Sequence, residues 1–180
     1  MKILVNILLV VLAIVALVLI AGLFMNKKMA VVRSVTINKP LSEVYAYTSL
    51  LKNQNNYSVW AKRDPNMKKE FHGVDGTVGF VSAWESKQKD VGKGEQTIVR
   101  VIPNELIDYS LHFIEPFEST NHAYMTFKET SAQQTEVNWG FDGEMNYPMN
   151  VMLPFMNMDK SLGKDFQDGL NNLKAILEKQ

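Results

Sequence analysis

The most regular apolar pattern in the chain lies near its C-terminus. Apolar side chains recur there in steps of three and four residues, at Phe155, Met158, Leu162, Phe166, Leu170, Leu173 and Leu177. This spacing places them on one stripe of an α-helix, and most charged residues of the stretch fall on the opposite side. A single amphipathic helix cannot bury its own stripe. The pattern therefore predicts that the rest of the chain supplies a large apolar surface.

Alternating apolar and polar residues predict that this surface is an antiparallel β-sheet. If residues 103–105 form one loop, Val101 faces Ile107, Val99 faces Tyr109, and Arg100 meets Asp108 on the wet side. If residues 115–119 form the next loop, the apolar pairs are Leu111 with Ala123, Tyr109 with Met125, and Ile107 with Phe127. A third hairpin then sets Val137, Trp139 and Phe141 beside Phe127, Met125 and Ala123. One face of these strands is therefore apolar along its whole length, as is required of a sheet that is buried on one side.

The remaining segments complete an α+β pattern. Residues 29–38 alternate as a strand, Pro40 opens a helix through Leu51, and residues 68–72 and 78–85 are short strands. The predicted order is a strand, one or two helices, about six more antiparallel strands and a long final helix. We expect a curved sheet of about seven strands wrapped around the C-terminal helix.

The N-terminus has a different character. From Ile3 to Met25 the chain is apolar except for Asn6, and at about 1.5 Å per residue it is long enough to cross a hydrocarbon core of about 30 Å. A cleaved signal peptide is the competing interpretation, but its apolar core is usually only about 7 to 15 residues long. We therefore predict a single-pass anchor with its basic flank at residues 1–28 and a soluble domain at 29–180. The basic residues Lys27, Lys28 and Arg33 after the span predict a cytoplasmic soluble domain.

Composition excludes several functions. The chain has 19 basic and 19 acidic residues, which argues against a nucleic-acid footprint. It has no cysteine, so it can form neither a disulfide nor a thiolate metal site. His112 and His122 are expected to face each other on the wet side of the sheet as a solvated pair. We predict no metal site and no cofactor.

The order of elements, together with several short stretches, resembles the START-like helix-grip superfamily, also called SRPBCC, and especially its polyketide cyclase/dehydrase and lipid transport branch. The resemblance runs from Val31 to Leu177 and departs from the pattern at Gln54 and Tyr57, where relatives often carry tryptophan. It rests on residues 35–40, 60–67, 92–94, 103–105, 116–121, 143–145, 158–160 and 163–166. It implies that a hydrophobic ligand binds between the sheet and the final helix. It does not imply a common reaction.

Glu95 has two interpretations. If Trp84 pairs with Glu95, the carboxyl points inward near Thr97, where desolvation would raise its pKa and suit it to acid chemistry or ligand contact. A shift of one residue in the loop at 86–91 would instead place Glu95 in water. The sequence leaves both possibilities open.

A group of aromatic and thioether side chains is predicted to line the pocket. Each of them alone is more typical of ordinary core, and only the group at the mouth of a helix grip favours a ligand site. The candidates are Trp84, Tyr109, Met125 and Trp139 from the strands, Met152, Phe155, Met156 and Asp159 from the helix, and Glu95 and Thr97 if they point inward.

Three functions remain open. The leading hypothesis is a membrane-anchored START-like domain that binds a lipid, an isoprenoid quinone or a polyketide-like compound. The second is a cyclase/dehydrase-like enzyme that uses Glu95, Tyr109 and Asp159 for acid–base work. The third is a protein-interaction or chaperone-regulating module, which would have a filled interior and an exposed apolar patch.

Overall fold

The computed structural model describes residues 2–179. Its helices are α1 (Lys2–Gly22), α2 (Leu41–Thr48), α3 (Gln54–Tyr57), α4 (Val59–Arg63) and α5 (Met158–Leu177), and two 3-10 helices cover Leu51–Asn53 and Met149–Phe155. Its strands are β1 (Lys28–Ile37), β2 (Lys68–His72), β3 (Val81–Glu85), β4 (Lys93–Ile102), β5 (Leu106–Glu115), β6 (Ser119–Ser131) and β7 (Gln134–Glu144).

The chain divides into two compact units. The N-terminal unit combines the segment up to Met29 with Glu144–Met158, and the sheet unit combines Ala30–Gly143 with the residues from Asp159 onward. The segment Glu144–Met158, which the sequence assigns to the soluble domain, thus packs with the N-terminal helix.

The seven strands form one curved sheet in the order β1-β7-β6-β5-β4-β3-β2. Neighbouring strands from β2 to β7 pair antiparallel. The predicted α+β domain with about seven strands and a long C-terminal helix is confirmed. We call the sheet surface that carries Ile107, Met125 and Trp139 the inner face, because these side chains are almost fully buried.

The predicted register of β6 and β7 is confirmed, with Phe127 paired to Val137 and Met125 to Trp139. The predicted register of β5 and β6 is wrong by two residues. Tyr109 pairs with Ala123, not Met125, because Ser119 already pairs with Phe113 although β5 continues to Glu115. An even shift keeps every side chain on its predicted face.

A bulge in β4 has a larger effect. Val101 pairs with Ile107 and Arg100 with Asp108 as predicted, but the register then shifts and Ile98, not Val99, pairs with Tyr109. Val99 is the extra residue, and it is 46% exposed. One inserted residue exchanges the two faces of the strand that precedes it.

Helix α5 buries its predicted stripe through Phe166, Leu170, Leu173 and Leu177. It starts at Met158 and not at Phe155 as the pattern indicates. Pro154 lies in the preceding 3-10 helix, and the backbone of Met156 is extended, so the two segments are not one continuous helix. The shorter helices also pack on the sheet: Tyr45 of α2 contacts Phe127 edge-on at 5.3 Å.

Helix α1 is the one helix within residues 2–179 that is long and apolar enough to cross a membrane. It is 21 residues long and carries no acidic residue in its first turn and no basic residue in its last. Its large apolar side chains from Ile3 to Val18 are all exposed. Such a helix has the length of a single membrane crossing.

Candidate ligand-binding site

An aromatic cluster fills the middle of the space between α5 and the sheet. Trp139 stacks on Phe166 with ring centroids 4.8 Å apart, and Tyr57 and Trp60 contact Trp139 edge-on at 5.8 and 6.2 Å. A Cβ added at Gly169 would lie 2.8 Å from Cζ3 of Trp139, so the absent side chain lets the helix approach the indole. This part of the interior is solid.

Three predicted lining residues belong to that packed interior. Tyr109, Met125 and Trp139 are exposed by only 1%, 0% and 2%. Burial raises the pKa of the Tyr109 hydroxyl well above its usual range. The hydroxyl of Tyr57 lies 3.7 Å from Sδ of Met125 and fills the neighbouring space. Their burial is that of core residues.

Glu95 and Thr97 do not point inward. The bulge at Val99 sets Gly94, Gln96 and Ile98 on the inner face, and Glu95 and Thr97 therefore face outward. The Glu95 side chain is 44% exposed, and its Oε1 lies 3.8 Å from Nδ1 of His112. The prediction that these two residues point inward is wrong. The structure agrees with the alternative prediction, in which Glu95 is exposed to water.

The same bulge brings a row of polar side chains onto the inner face. Ser82 pairs with Gln96, Gln96 with Leu111, and Leu111 with Asn121, so the four lie side by side on β3 to β6. Gln96 and Asn121 are each only 8% exposed. We call Ser82, Gln96 and Asn121 the polar row. It crosses a surface that is otherwise apolar.

Asn121 is incompletely satisfied. Its Nδ2 donates a hydrogen bond to Oγ of Ser119 at 3.1 Å, whereas its Oδ1 has no partner among residues 2–179. An unpaired buried carbonyl costs about 1–3 kcal/mol. Rotating the amide would exchange the two atoms and still leave one of them unpaired, so the group can accept from a hydroxyl or donate to a carbonyl. Such a buried group requires an explanation.

Half-buried aromatic side chains flank the polar row. Trp84 and Phe113 meet edge-on at 6.0 Å, and Nε1 of Trp84 donates to the carbonyl oxygen of Val91 at 3.1 Å. A Cβ at Gly94 would lie 2.6 Å from the carbonyl oxygen of His112 and 2.7 Å from Cζ2 of Trp84, so this glycine allows both β5 and the indole to approach β4 closely. The predicted lining residue Trp84 is thus brought beside the polar row, and its indole donor is already paired.

A cleft with several charged residues in its wall lies where β2, β3 and β5 reach the same end of the sheet. Its volume is about 800 Å³, and its wall includes Asp64, Lys68, Glu85 and Glu115 together with Met67. Oγ of Ser86 donates to Oδ2 of Asp64 at 2.5 Å and joins two sides of the cleft. Its charged wall differs from the apolar pocket that the sequence predicts.

Three further predicted lining residues lie outside α5. Met152 and Phe155 belong to the 3-10 helix Met149–Phe155, and Met156 follows it. They are 47%, 89% and 39% exposed. Their assignment to the C-terminal helix is wrong, because the helix starts two residues after Met156.

The predicted catalytic residues are not brought together. Glu95 is on the outer face, Tyr109 is buried on the inner face, and Asp159 is in the first turn of α5. The Asp159 side chain is 75% exposed, and its Oδ1 accepts from the Arg33 guanidinium at 2.7 Å. An exposed ion pair of this kind contributes little and does not create a general acid.

The outer face carries the histidines. His122 lies between Asp108 at 3.0 Å and Asp142 at 3.3 Å, and it pairs across the strands with Ser110. His112 pairs with Thr120, so the predicted contact between the two histidines is wrong by the same two-residue shift. Within the part of the chain that the structure describes, no group of three or more His, Asp or Glu side chains has an arrangement that could hold a metal ion.

Sequence reasoning missed the polar row. Asn121 has the same parity as Ala123, Met125 and Phe127, so alternation alone would have placed it on the inner face. A polar residue in phase with a buried set was the available signal. Gln96 gave no such signal, because its orientation depends on the bulge at Val99.

No protein-family model matches the sequence, and no curated protein matches it. Solved structures share its fold. The chain superposes on the Aha1 dimer structure from Colwellia psychrerythraea with a TM-score of 0.58 at 12% identity, covering 83% of this chain and 96% of that one. For truncated norcoclaurine synthase from Thalictrum flavum the TM-score is 0.60 at 11% identity, covering 84% and 94%.

A protein from Chromobacterium violaceum gives a TM-score of 0.57 at 14% identity, covering 83% of this chain and 96% of that one. Identities this low establish the fold alone. Aha1 and norcoclaurine synthase both have helix-grip folds, so the predicted helix-grip fold is confirmed. The resemblance to the cyclase and lipid-transport branch stays a prediction.

Proposed function

We propose that this protein is a membrane-anchored START-like domain that binds a hydrophobic small molecule between its sheet and α5. The ligand has an apolar body and one hydrogen-bonding head group, as a lipid, an isoprenoid quinone or a polyketide-like compound does. The observation that carries the proposal is the buried amide of Asn121, whose Oδ1 has no partner among the described side chains and backbone groups.

The polar row provides the head-group contact. Pockets for small molecules are mostly apolar with a few polar groups that fix orientation. Asn121 and Gln96 lie on strands separated only by β5, on a face whose other members are Ile98, Ile107 and Met125. A ligand hydroxyl or carbonyl that paired with Asn121 would remove the cost of its unsatisfied amide.

The surroundings of the row suit an apolar body. Leu111, Trp84 and Phe113 are half-buried, in contrast to the fully buried Tyr109 and Met125 farther along the sheet. Partial exposure of large apolar side chains on an inner face provides contact area for a guest. The solid aromatic cluster around Trp139 would close the other end of that space.

The anchor explains why such a ligand would be accessible. The apolar segment 3–25, most of which is α1, would cross the bilayer once, and the basic residues Lys27, Lys28 and Arg33 would keep the soluble domain in the cytoplasm. Lipids and quinones dissolve in the bilayer, so a tethered domain meets them at high local concentration.

Native mass spectrometry of the full chain released from detergent micelles tests this function. We expect a bound lipid or quinone in the purified protein, and we expect added farnesol or decylubiquinone to raise the unfolding temperature. Asn121→Leu should abolish the shift by the probes. Asn138→Leu is the matched control, because Asn138 is an amide on the outer side that pairs with Thr126. An empty protein that neither probe stabilises would refute the proposal.

A further inference from the structure

An uncharged segment follows β7. No charged residue stands between Glu144 and Asp159, and several large apolar side chains in this stretch are exposed. Phe155 is 89% exposed, and Met149 and Met152 are each 47% exposed. Apolar side chains that are exposed together over a short stretch mark an interaction surface. We call residues 147–156 the interfacial segment.

The interfacial segment packs on the last turn of α1, within the same compact unit. Asn150 is fully buried and donates from Nδ2 to the carbonyl oxygen of Gly22 at 2.6 Å and to that of Met25 at 3.4 Å. A Cβ at Gly22 would lie 2.5 Å from Cγ1 of Val151, so the glycine permits this close approach. The backbone N–H of Met145 also donates to the carbonyl oxygen of Lys27 at 2.8 Å.

The hydrogen bonds from Asn150 reinforce a turn that is already closed. The carbonyl oxygens of Ile20, Ala21 and Gly22 accept from the backbone N–H groups of Leu23, Phe24 and Met25, and Asn150 adds the shortest bond, 2.6 Å long, to the carbonyl oxygen of Gly22. A helix end needs such partners where water is scarce. Leu23 and Phe24, at 58% and 86% exposed, continue the apolar surface of α1 past Gly22, and Asn26 and Lys27 then end it. The capped turn therefore stands at a boundary between apolar and polar surroundings.

We propose that the interfacial segment is a second membrane contact, which lies along the bilayer surface with Met149, Met152 and Phe155 among the acyl chains. This inference rests on the proposal that α1 spans the bilayer. The attachment of Asn150 to the last turn of α1 fixes the depth of the segment at the end of the span, where the head groups meet the hydrocarbon.

A lipid surface fits this segment better than a protein partner does. The exposed apolar surface of the segment adjoins that of α1 at Gly22, so one apolar environment can cover both. Methionine side chains adapt to irregular, mobile surroundings such as acyl chains. Tyr147, which is 40% exposed, has the apolar ring and polar tip that are enriched at membrane interfaces. Lys27 and Lys28 follow α1 and can meet lipid phosphates.

The absence of cysteine from the chain allows a direct test. Four single-cysteine variants of the full chain, Leu12→Cys, Phe155→Cys, Met149→Cys and Val74→Cys, are labelled with an environment-sensitive nitrobenzoxadiazole dye. The labelled chains are reconstituted into vesicles of equal parts phosphatidylcholine and phosphatidylglycerol. In parallel vesicles the phosphatidylcholine is brominated, near the head group in one set and near the chain ends in the other. Val74 is 71% exposed in the sheet unit and serves as the control.

We expect the dye at 155 and at 149 to shift its emission to the blue and to lose most of it to lipids brominated near the head group. The dye at 12 should be quenched most by lipids brominated near the chain ends. The dye at 74 should be quenched only by iodide in solution. All four variants should keep the circular dichroism spectrum of the parent chain, because the exchanged residues are exposed.

The outcomes separate the two proposals. Quenching at 12 without quenching at 149 and 155 leaves the anchor intact and overturns the second membrane contact. Lack of quenching at 12 overturns the membrane anchor and the inference that rests on it. A blue shift at 155 that grows with protein concentration, without quenching by brominated lipid, means that a second copy covers the segment and also overturns the inference.

Discussion

Replacing Asn121 by leucine should change the free energy of unfolding in opposite directions in two cases. It should rise if the interior has room for a ligand and fall if the interior is solidly packed. The asparagine is 8% exposed and carries an unpaired Oδ1, so its removal should recover about 1–3 kcal/mol. The lost hydrogen bond from Nδ2 to Ser119 costs about 0.5–1.5 kcal/mol. If the larger leucine fits, the free energy of unfolding should rise by about 1 kcal/mol. For a protein of this size that corresponds to a rise of about 2–4 °C in the unfolding temperature.

If the interior is filled, Asn121→Leu should instead lower the free energy of unfolding. Extra methyl groups forced into a packed core cost about 1–3 kcal/mol, which would cancel or exceed the gain. Thermal unfolding of the full chain in detergent micelles, followed by tryptophan fluorescence, measures the sign directly, with the outer-face variant Asn138→Leu as the reference. A fall in the unfolding temperature of Asn121→Leu would refute the existence of free space beside the polar row. A rise together with unchanged binding of farnesol would refute the role of the amide in binding.

Three further changes probe the packing around this site. Gly169→Val should lower the free energy of unfolding by about 1–3 kcal/mol, because the new side chain would collide with the indole of Trp139 beneath α5. The control is Ala175→Val, at an exposed position of the same helix. Equal losses of stability for the two variants in urea unfolding would contradict this packing. Gly94→Ala would set its Cβ 2.6 Å from the carbonyl oxygen of His112 and 2.7 Å from the indole of Trp84, so it should lower the free energy of unfolding, change the fluorescence of Trp84 and weaken decylubiquinone binding; an unchanged spectrum would contradict the contact. Stability should fall as the pH rises above about 10, because the buried Tyr109 keeps its proton in the native state after the unfolded chain has lost it. Tyr109→Phe should make that fall shallower, and an equally steep fall would mean that the hydroxyl ionises freely in the folded protein.

Alternation was sufficient to predict the face of most side chains but not the neighbours across each strand. Hairpin parity placed Tyr109, Met125 and Trp139 on the buried face, and all three are there. The asymmetric turn before Ser119 displaced the β5–β6 register by two, which alternation cannot detect because each side chain keeps its face.

The predicted positions of the candidate site residues were wrong where one extra residue exchanged the two faces of a strand or where a helix began later than its apolar pattern. The bulge at Val99 turned Glu95 outward and Gln96 inward, and no turn signal in the sequence marks that bulge. The extended backbone of Met156 separated Phe155 from α5, although the spacing of three and four residues continued through both segments and Pro154 lies just before the break. A proline inside an otherwise helical pattern was a usable signal for that boundary.

The burial of α5 is uneven along its length. Phe166, Leu170, Leu173 and Leu177 are buried against the sheet, whereas Leu162 is half-buried and Asp159 is exposed. Local opening of the first two turns would therefore need far less free energy than unfolding the whole helix, and amide hydrogens there should exchange earlier. The dissociation rate of a bound ligand would then depend on how often those two turns open. The unfolding temperature would depend instead on the buried half of the helix.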